Sequence, residues 1–223
     1  VKNLRFIKDG DAYETVRRAL EKCGYTVFDK VLNALNFGLP QHRERLIVVG
    51  FRNDLAPDED SFSIPTQNRA KLETEADQRE ALANMLEDDD DVDERYYASE
   101  KVRSDRRESV ENTSAIPEPS IWHENRAGQV TTRPYSGTLR ASSSWNYLLV
   151  NGERLLTVRE QLRLQGFPEW FKIDDSNRSR GRKLTGNTIP IPMVHAVARA
   201  LVSELAFDTA SETVPDAETP TSD

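Results

Sequence analysis

"FGLPQHRERLIVVGFR", residues 37 to 52, sets a turn-forming Gly-Leu-Pro ahead of two arginines and delivers both into the apolar run Leu46-Ile47-Val48-Val49. A short run so rich in β-branched residues reads as a strand over residues 46 to 51, apolar on both faces and therefore suited to being covered on both sides. Charge beside a core is costly unless something pairs with it, so Arg43 and Arg45 at the mouth of this strand need partners or a task. Upstream, Asp11 and Glu14 have capping-box spacing, and Tyr13, Val16, Leu20 and Cys23 recur at helical spacing before Gly24. This predicts a helix over residues 11 to 23 with Cys23 on its buried face. Residues 25 to 33, rich in Val and aromatics, read as a second strand. Helix, strand, turn, strand is the grammar of an α/β layer.

The chain has 223 residues, enough for one large domain or one domain and a small second one. No apolar run is long enough to cross a bilayer, and no basic segment followed by an apolar run opens the sequence, so a cytoplasmic protein without membrane contact is expected. Cys23 is the single cysteine, which excludes an internal disulfide, and no Cys and His cluster has zinc-ligand spacing. No metal site is expected.

The formal charge of −8 argues against a uniform nucleic-acid binder, because phosphate affinity comes from Lys and Arg. The average hides an asymmetry. Between Arg126 and Lys183 eleven Lys and Arg face five Asp and Glu, a basic zone inside an acidic chain. Much of the acid lies in residues 86 to 94 and in the tail from Phe207 to Asp223, both of which read as solvated or disordered.

From Arg52 to about Ser120 the regular pattern lapses, with Pro57, Pro65, Pro117 and Pro119 and one predicted helix over residues 71 to 86. Residues 136 to 150 read as short irregular strands. Thr157 with Glu160 forms a second capping box, for a helix ended by Gly166 and Pro168. A last helix starts near Pro190 or Pro192 and carries Val194, Val197, Leu201 and Leu205 on one stripe.

Three blocks now carry a resemblance. "NALNFGLPQHRERLIVVGFR", residues 33 to 52, resembles the Gln-x-Arg-x-Arg motif of DNA cytosine-5 methyltransferases, with Gln41, Arg43 and Arg45 in the motif positions. "RLLTVREQLRLQGFPEWF", residues 154 to 171, is similar to the segment that follows the family's target-recognition domain. "LTGNTIPIPMVHAVARAL", residues 184 to 201, is similar to its closing Gly-Asn motif and last helix. The blocks stand in the family's order.

The resemblance implies methyl transfer from S-adenosylmethionine to cytosine C5 in duplex DNA, after the base has left the helix, and a link to restriction-modification. It implies a base-facing role for Arg45, a bracing role for Arg43 and an orienting role for Gln41 as catalytic residues. Asn187, Thr188 and Ile189 would close one wall of the S-adenosylmethionine pocket, with Gly186 letting the chain turn closely. In the segment before Leu155, it implies DNA contacts from Thr138, Arg140, Ser142, Ser143, Ser144, Trp145 and Asn146. Trp145 would fill the gap left by the flipped base or simply pack. Arg126, Arg133, Arg178, Arg180, Arg182 and Lys183 would supply phosphate contacts or solubility. His123 and His195 read as structural.

The family's nucleophile is a cysteine in a Pro-Cys loop, and this sequence has no Pro-Cys dipeptide; Cys23 follows Lys22. A glycine-rich cofactor turn is also missing, and Val1-Lys2-Asn3-Leu4 resembles the end of the Glu-Asn-Val motif. The expectation is therefore the C-terminal part of such an enzyme, inactive alone: truncated, the recognition half of a split enzyme completed by an N-terminal half-enzyme chain, or a non-catalytic DNA-binding remnant. The fold expected is α/β, the C-terminal half of a Rossmann-like methyltransferase sheet with an inserted, largely irregular target-recognition region. Residues 1 to 52 would end the catalytic domain, 53 to 150 hold the recognition region with its acidic insertion, 151 to 206 return to the catalytic domain, and 207 to 223 form a disordered tail.

Overall fold

The structure is a computed structural model that describes residues 10–57, 62–141, 147–174 and 176–211, with side chains described through residue 205. The described chain is a mixed α/β protein that falls into two compact units. Among the described residues no helix is long and apolar enough to cross a membrane.

The smaller unit holds residues 10–29, 48–57, 62–65 and 196–211. Its first element, α1 (Asp11–Lys22), corrects the expected capping box. Gly10 at φ 102° precedes the helix with no side-chain cap, and Asp11 and Glu14 sit in the first turn, where their charge suits the helix dipole. Cys23 lies beyond the helix and is exposed, because Tyr13 is the buried residue of α1 and Cys23 falls off that face. Aromatic rings build the centre of this unit. Phe28, Phe51 and Phe62 meet edge to face with centroids 4.9 to 5.8 Å apart.

Strands β1 (Tyr25–Asn33) and β2 (Glu44–Arg52) pair as a two-stranded sheet and run through both units. The expectation that β2 is covered on both faces is corrected. Leu46, Val49 and Phe51 are buried, whereas Val48 is 38% exposed.

The larger unit holds residues 30–47 and 66–195. Its sheet has the order β4-β3-β5, all antiparallel, from β3 (Ile121–Glu124), β4 (Val130–Arg133) and β5 (Leu148–Val150). Alternation along β5 serves two cores: Leu148 and Val150 join Leu82, Ile121, Leu139 and Leu164, while Leu149 joins Trp122 and Ala98. Residues 136 to 141 supply no strand, only a single bridge between Ser136 and Gln41.

The region from 53 to 120 is more regular than expected. Helix α2 (Glu75–Ala83) is shorter than the predicted span, and α3 (Glu100–Glu108) was not anticipated. The acidic stretch at 86 to 94 is also ordered, with 3-10 turns at Asp89–Asp91 and Glu94–Tyr96. Its anchor is Arg154, which bonds Asp89 Oδ1 at 2.6 Å and both oxygens of Glu160, while Glu87 accepts from the Thr157 hydroxyl.

Helix α4 (Val158–Arg163) has the predicted Thr157 and Glu160 capping box, and the chain turns at Gly166 with φ 79°. Helix α5 (Arg178–Asn187) is a further unanticipated element and takes up Gly186 and Asn187. Helix α6 (Ile191–Ser211) begins where the prolines predict, but its buried residues are Met193 and Val197; Val194 and Leu205 are about 40% exposed. Part of the expected tail, residues 207 to 211, is thus helical, and residues 212 to 223 lie outside the described residues.

Candidate active-site turn and recognition segment

Between β1 and β2 the chain makes a 3-10 turn, Ala34–Phe37, capped by Asn33, and reverses at Gly38 with φ 84°. Gly38 has a second reason to be glycine: a Cβ there would lie 2.8 Å from Ala70 Cβ. Residues 39 to 41 follow with Leu39, Pro40 and Gln41 all buried. Gln41 donates through Nε2 to the Leu164 carbonyl at 2.9 Å and accepts from Gln165 Nε2 at 3.4 Å. The turn is thereby fixed to the end of α4.

Arg43 is 1% exposed and meets no carboxylate among the described residues. Three backbone carbonyls hold it instead. Nη1 donates to Leu139 O at 2.8 Å, and Nη2 donates to Gly186 O at 2.9 Å and Thr188 O at 2.5 Å. Burial, reinforced by the charge of Arg45, pushes its guanidinium down to about 10, which leaves it a cation at neutral pH. A planar fork of donors is the side chain that can collect three carbonyls from two strands of chain at once.

Arg45 has a different setting. It is half-buried, it donates to its neighbour's carbonyl, Glu44 O, at 2.7 Å, and it makes no ion pair among the described residues. Burial lowers its guanidinium below the ordinary value. Neither Arg43 nor Arg45 thus forms an ion pair with a carboxylate among the described residues.

The same turn grips residues 136 to 140. His42 N donates to Ser136 O at 2.8 Å, Ser136 N donates to Pro40 O at 2.8 Å, and the Thr138 hydroxyl donates to His42 O at 2.9 Å. Arg140 is exposed, with its guanidinium 4.6 Å from the Tyr147 ring centroid and its N–H donating to the Tyr147 hydroxyl. Ser142, Ser143, Ser144, Trp145 and Asn146 lie outside the described residues.

The expected cofactor residues form the junction between α5 and α6. Asn187 and Ile189 are exposed, and Thr188 turns inward, its hydroxyl donating to Thr185 O at 2.8 Å. Gly186 has another use than the expected turn. It lies within α5, and a Cβ on it would meet Ala141 N at 2.5 Å and the Arg140 carbonyl carbon at 2.9 Å. A close backbone approach, not backbone freedom, requires glycine there. Its signal in the sequence was only a Gly beside an Asn, and the partner segment lies 45 residues away.

All three sequence blocks therefore converge on one turn, through Leu164, Gly186 and Thr188, where Leu139 of the segment before the second block joins them. The C-5 cytosine-specific DNA methylase family matches residues 1–203. The chain is 41% identical over 209 residues to the type II methyltransferase M.HaeII of Haemophilus aegyptius, covering 94% of this chain and 61% of that protein. It is 42% identical over 199 residues to M.NgoBI of Neisseria gonorrhoeae, covering 89% and 58%. The chain thus spans about six tenths of the length of these relatives. Among solved structures, the S. pombe Dnmt2 methyltransferase aligns with a TM-score of 0.52 at 20% identity, over 90% of this chain and 64% of that one. A putative DNA modification methyltransferase from an E. coli prophage aligns with a TM-score of 0.55 at 16% identity, over 89% and 66%. By the match along nearly its whole length, the chain belongs to the C-5 cytosine-specific DNA methylase family.

Proposed function

We propose that this chain is the part of a DNA cytosine-5 methyltransferase that positions the target base and reads the surrounding duplex, in a reaction that moves a methyl group from S-adenosylmethionine to cytosine C5. The carrying observation is the division of labour in the turn: three carbonyls hold both Nη groups of Arg43, while Arg45, half-buried, has no carboxylate partner among the described residues. A guanidinium in that state is available to donate to the cytosine O2 as negative charge builds on the ring, and preorganised donors of this kind act mainly on the transition state. Arg43 and Gln41 act by holding the turn rather than by touching the base. Thr138 and Arg140, with residues 142 to 146, meet the DNA; Thr138 is tied to the turn through His42.

The fold reading belongs to the same proposal. Residues 1 to 52 and 151 to 206 form the closing half of a Rossmann-like catalytic domain, with a recognition region inserted between them. Asn187 and Ile189, both exposed, offer an amide and an apolar surface to one wall of a cofactor site, while Thr188 is committed inward. S-adenosylmethionine, bound there, supplies the electrophilic methyl. The nucleophilic thiolate comes from residues beyond these 223, in the same or a partner chain, because Cys23 is exposed after α1 and is no part of the turn.

Replacing Arg45 by Ala in the full-length enzyme is the test. Turnover is expected to fall by about 10²–10³, as for loss of one oxyanion donor, with DNA affinity changed far less. Equal loss in turnover and affinity would make Arg45 a binding residue. An unchanged turnover would remove the base-facing role, and with it the best support for catalysis over a DNA-binding remnant.

A further inference from the structure

Gln165 lies between the end of α4 and the reversal at Gly166 and is 0% exposed. Its Nε2 donates to Gln41 Oε1 at 3.4 Å, a long bond, and its Oε1 accepts none among the described residues. A buried amide satisfied so incompletely costs stability, and an apolar side chain of like size, methionine or leucine, would fill the space without that cost. Packing therefore gives no reason for a glutamine here. The contact its side chain makes with Gln41 does.

Residues 164 to 166 stand between two parts of the site. On one side they hold the Gln41 amide at both ends, its nitrogen on Leu164 O at 2.9 Å and its oxygen on Gln165. On the other side Gln165 O accepts from Ile191 N at 2.9 Å, and Gly166 lies so near Pro192 that a Cβ would meet its Cδ at 2.5 Å. The arginine turn reaches the same segment a second time through Arg43, bonded to Gly186 O and Thr188 O. Bonds and chain thus close a ring, from 41 to 165 to 191, back along the chain to 188, and through Arg43 to 41. Arg43 alone would leave a pivot between the turn and residues 186 to 191; Leu164 and Gln165 supply the second point that stops it. Arg45, whose side chain is bonded to the adjacent Glu44 O, takes its direction from the backbone of that turn.

We propose that Gln165 is a positioning residue for methyl transfer, a role that rests on the base-facing reading of Arg45. Through the Gln41 amide it fixes the arginine turn against residues 186 to 191, and so fixes Arg45 relative to the wall that Asn187 and Ile189 offer the cofactor. A misplacement of about 1 Å in a group of this kind can cost about 10²-fold in rate.

Gln165→Met in the full-length enzyme removes one unbonded buried oxygen and leaves another, that of Gln41, so the melting temperature should stay close to that of the wild type. Turnover should fall by about 10–10²-fold at a temperature where the variant is folded. Affinity for duplex DNA and for S-adenosylhomocysteine should hold, because the carbonyl that meets Ile191 remains in every variant. On an Arg45→Ala background the same change should add almost nothing, since the guanidinium it would misplace is already gone. Exchange of the Gln41 side-chain amide protons with solvent, followed by NMR, should quicken in Gln165→Met. Gln165→Leu should behave alike and carries the test if the methionine variant does not fold.

Unchanged turnover overturns the proposal. So does a loss of turnover matched by a loss of stability or of either affinity, which makes Gln165 part of the scaffold. Losses that multiply in the double variant overturn it as well, since Gln165 then acts apart from Arg45. The reading beneath it fails in another way: full turnover in Arg45→Ala, or no methyl transfer to DNA by the full-length enzyme, sinks that reading, while quickened Gln41 exchange in Gln165→Met still reports the tie between the two amides.

Discussion

Arg43 donates through Nη2 to the Gly186 carbonyl at 2.9 Å across 143 residues of chain. With Leu139 O and Thr188 O it closes a three-way joint of carbonyls. Arg43→Lys keeps the charge, but a single ammonium on a shorter reach cannot serve all three. The expected result is a loss of about 2–4 kcal/mol in urea unfolding, from buried acceptors left unmade. A wild-type midpoint would mean that the carbonyls find other donors.

The most deeply buried ion pair described joins Arg154 and Glu160, at 2% and 0% side-chain exposure, through bonds of 3.0 and 2.9 Å. Burial works to lower the Arg154 pKa, and the bonds to Glu160 and Asp89 outweigh it, so the cation is held firmly. Glu160→Gln removes the buried partner and leaves that charge with Asp89 alone, which is expected to cost about 3–5 kcal/mol. Replacing both partners, by Arg154→Met with Glu160→Leu, should recover most of the loss. If the double variant is no more stable than the single one, the cost lies in the lost cap of α4 rather than in the bare charge.

Local chemistry was legible where it was self-contained. The Thr157 and Glu160 box, the strand over 25 to 33 and the start of α6 need only neighbours in sequence, and each is found. The unanticipated helices need distant partners. Stretch 178 to 187 has one large apolar residue, Leu184, and its helix is held by Gly181 against Val158 and by Thr185 bonded to Gln161. Helix α3 is mostly charged and is held by Arg103, Arg106 and Arg107 reaching Glu153 and Glu124. The acidic stretch read as solvated because its cation, Arg154, stands some 65 residues away. At the site, the motif named Arg43 and Arg45 but not the carbonyls that separate their roles, since any residue type can supply a carbonyl.

Gly186→Ala places a methyl group 2.5 Å from Ala141 N, against backbone that cannot rotate aside. The segment carrying Arg140 must then shift. Melting temperature should fall, and DNA affinity should fall beyond what the lost stability accounts for at a temperature where the variant remains folded. Normal affinity in a destabilised variant would show that the 138 to 141 segment reseats itself.

Burial, then the charges of Arg140, Arg133 and Arg106, push the His123 imidazole below its ordinary value of 6.5, with Glu124 opposing. The unfolded chain takes up this proton near 6.5, whereas the folded protein resists until lower pH. Folding stability should therefore decline as pH falls from about 6.5 and level off below the folded value. In His123→Gln this component is absent, so stability measured by denaturant between about pH 7 and pH 5 should be flatter than in the wild type. An identical profile would mean that His123 titrates as in an open chain.

The joint at Arg43 also sets a clock on biosynthesis. Its last acceptor, Thr188, is made 145 residues after the arginine itself. At about 5–20 residues per second, the nascent chain carries an unassembled arginine turn for roughly 7–30 s. During that interval the Arg43 guanidinium lacks its full set of acceptors. A growing polypeptide in this state holds neither arginine in its final setting, so the turn is completed only in chains whose synthesis has passed the closing block.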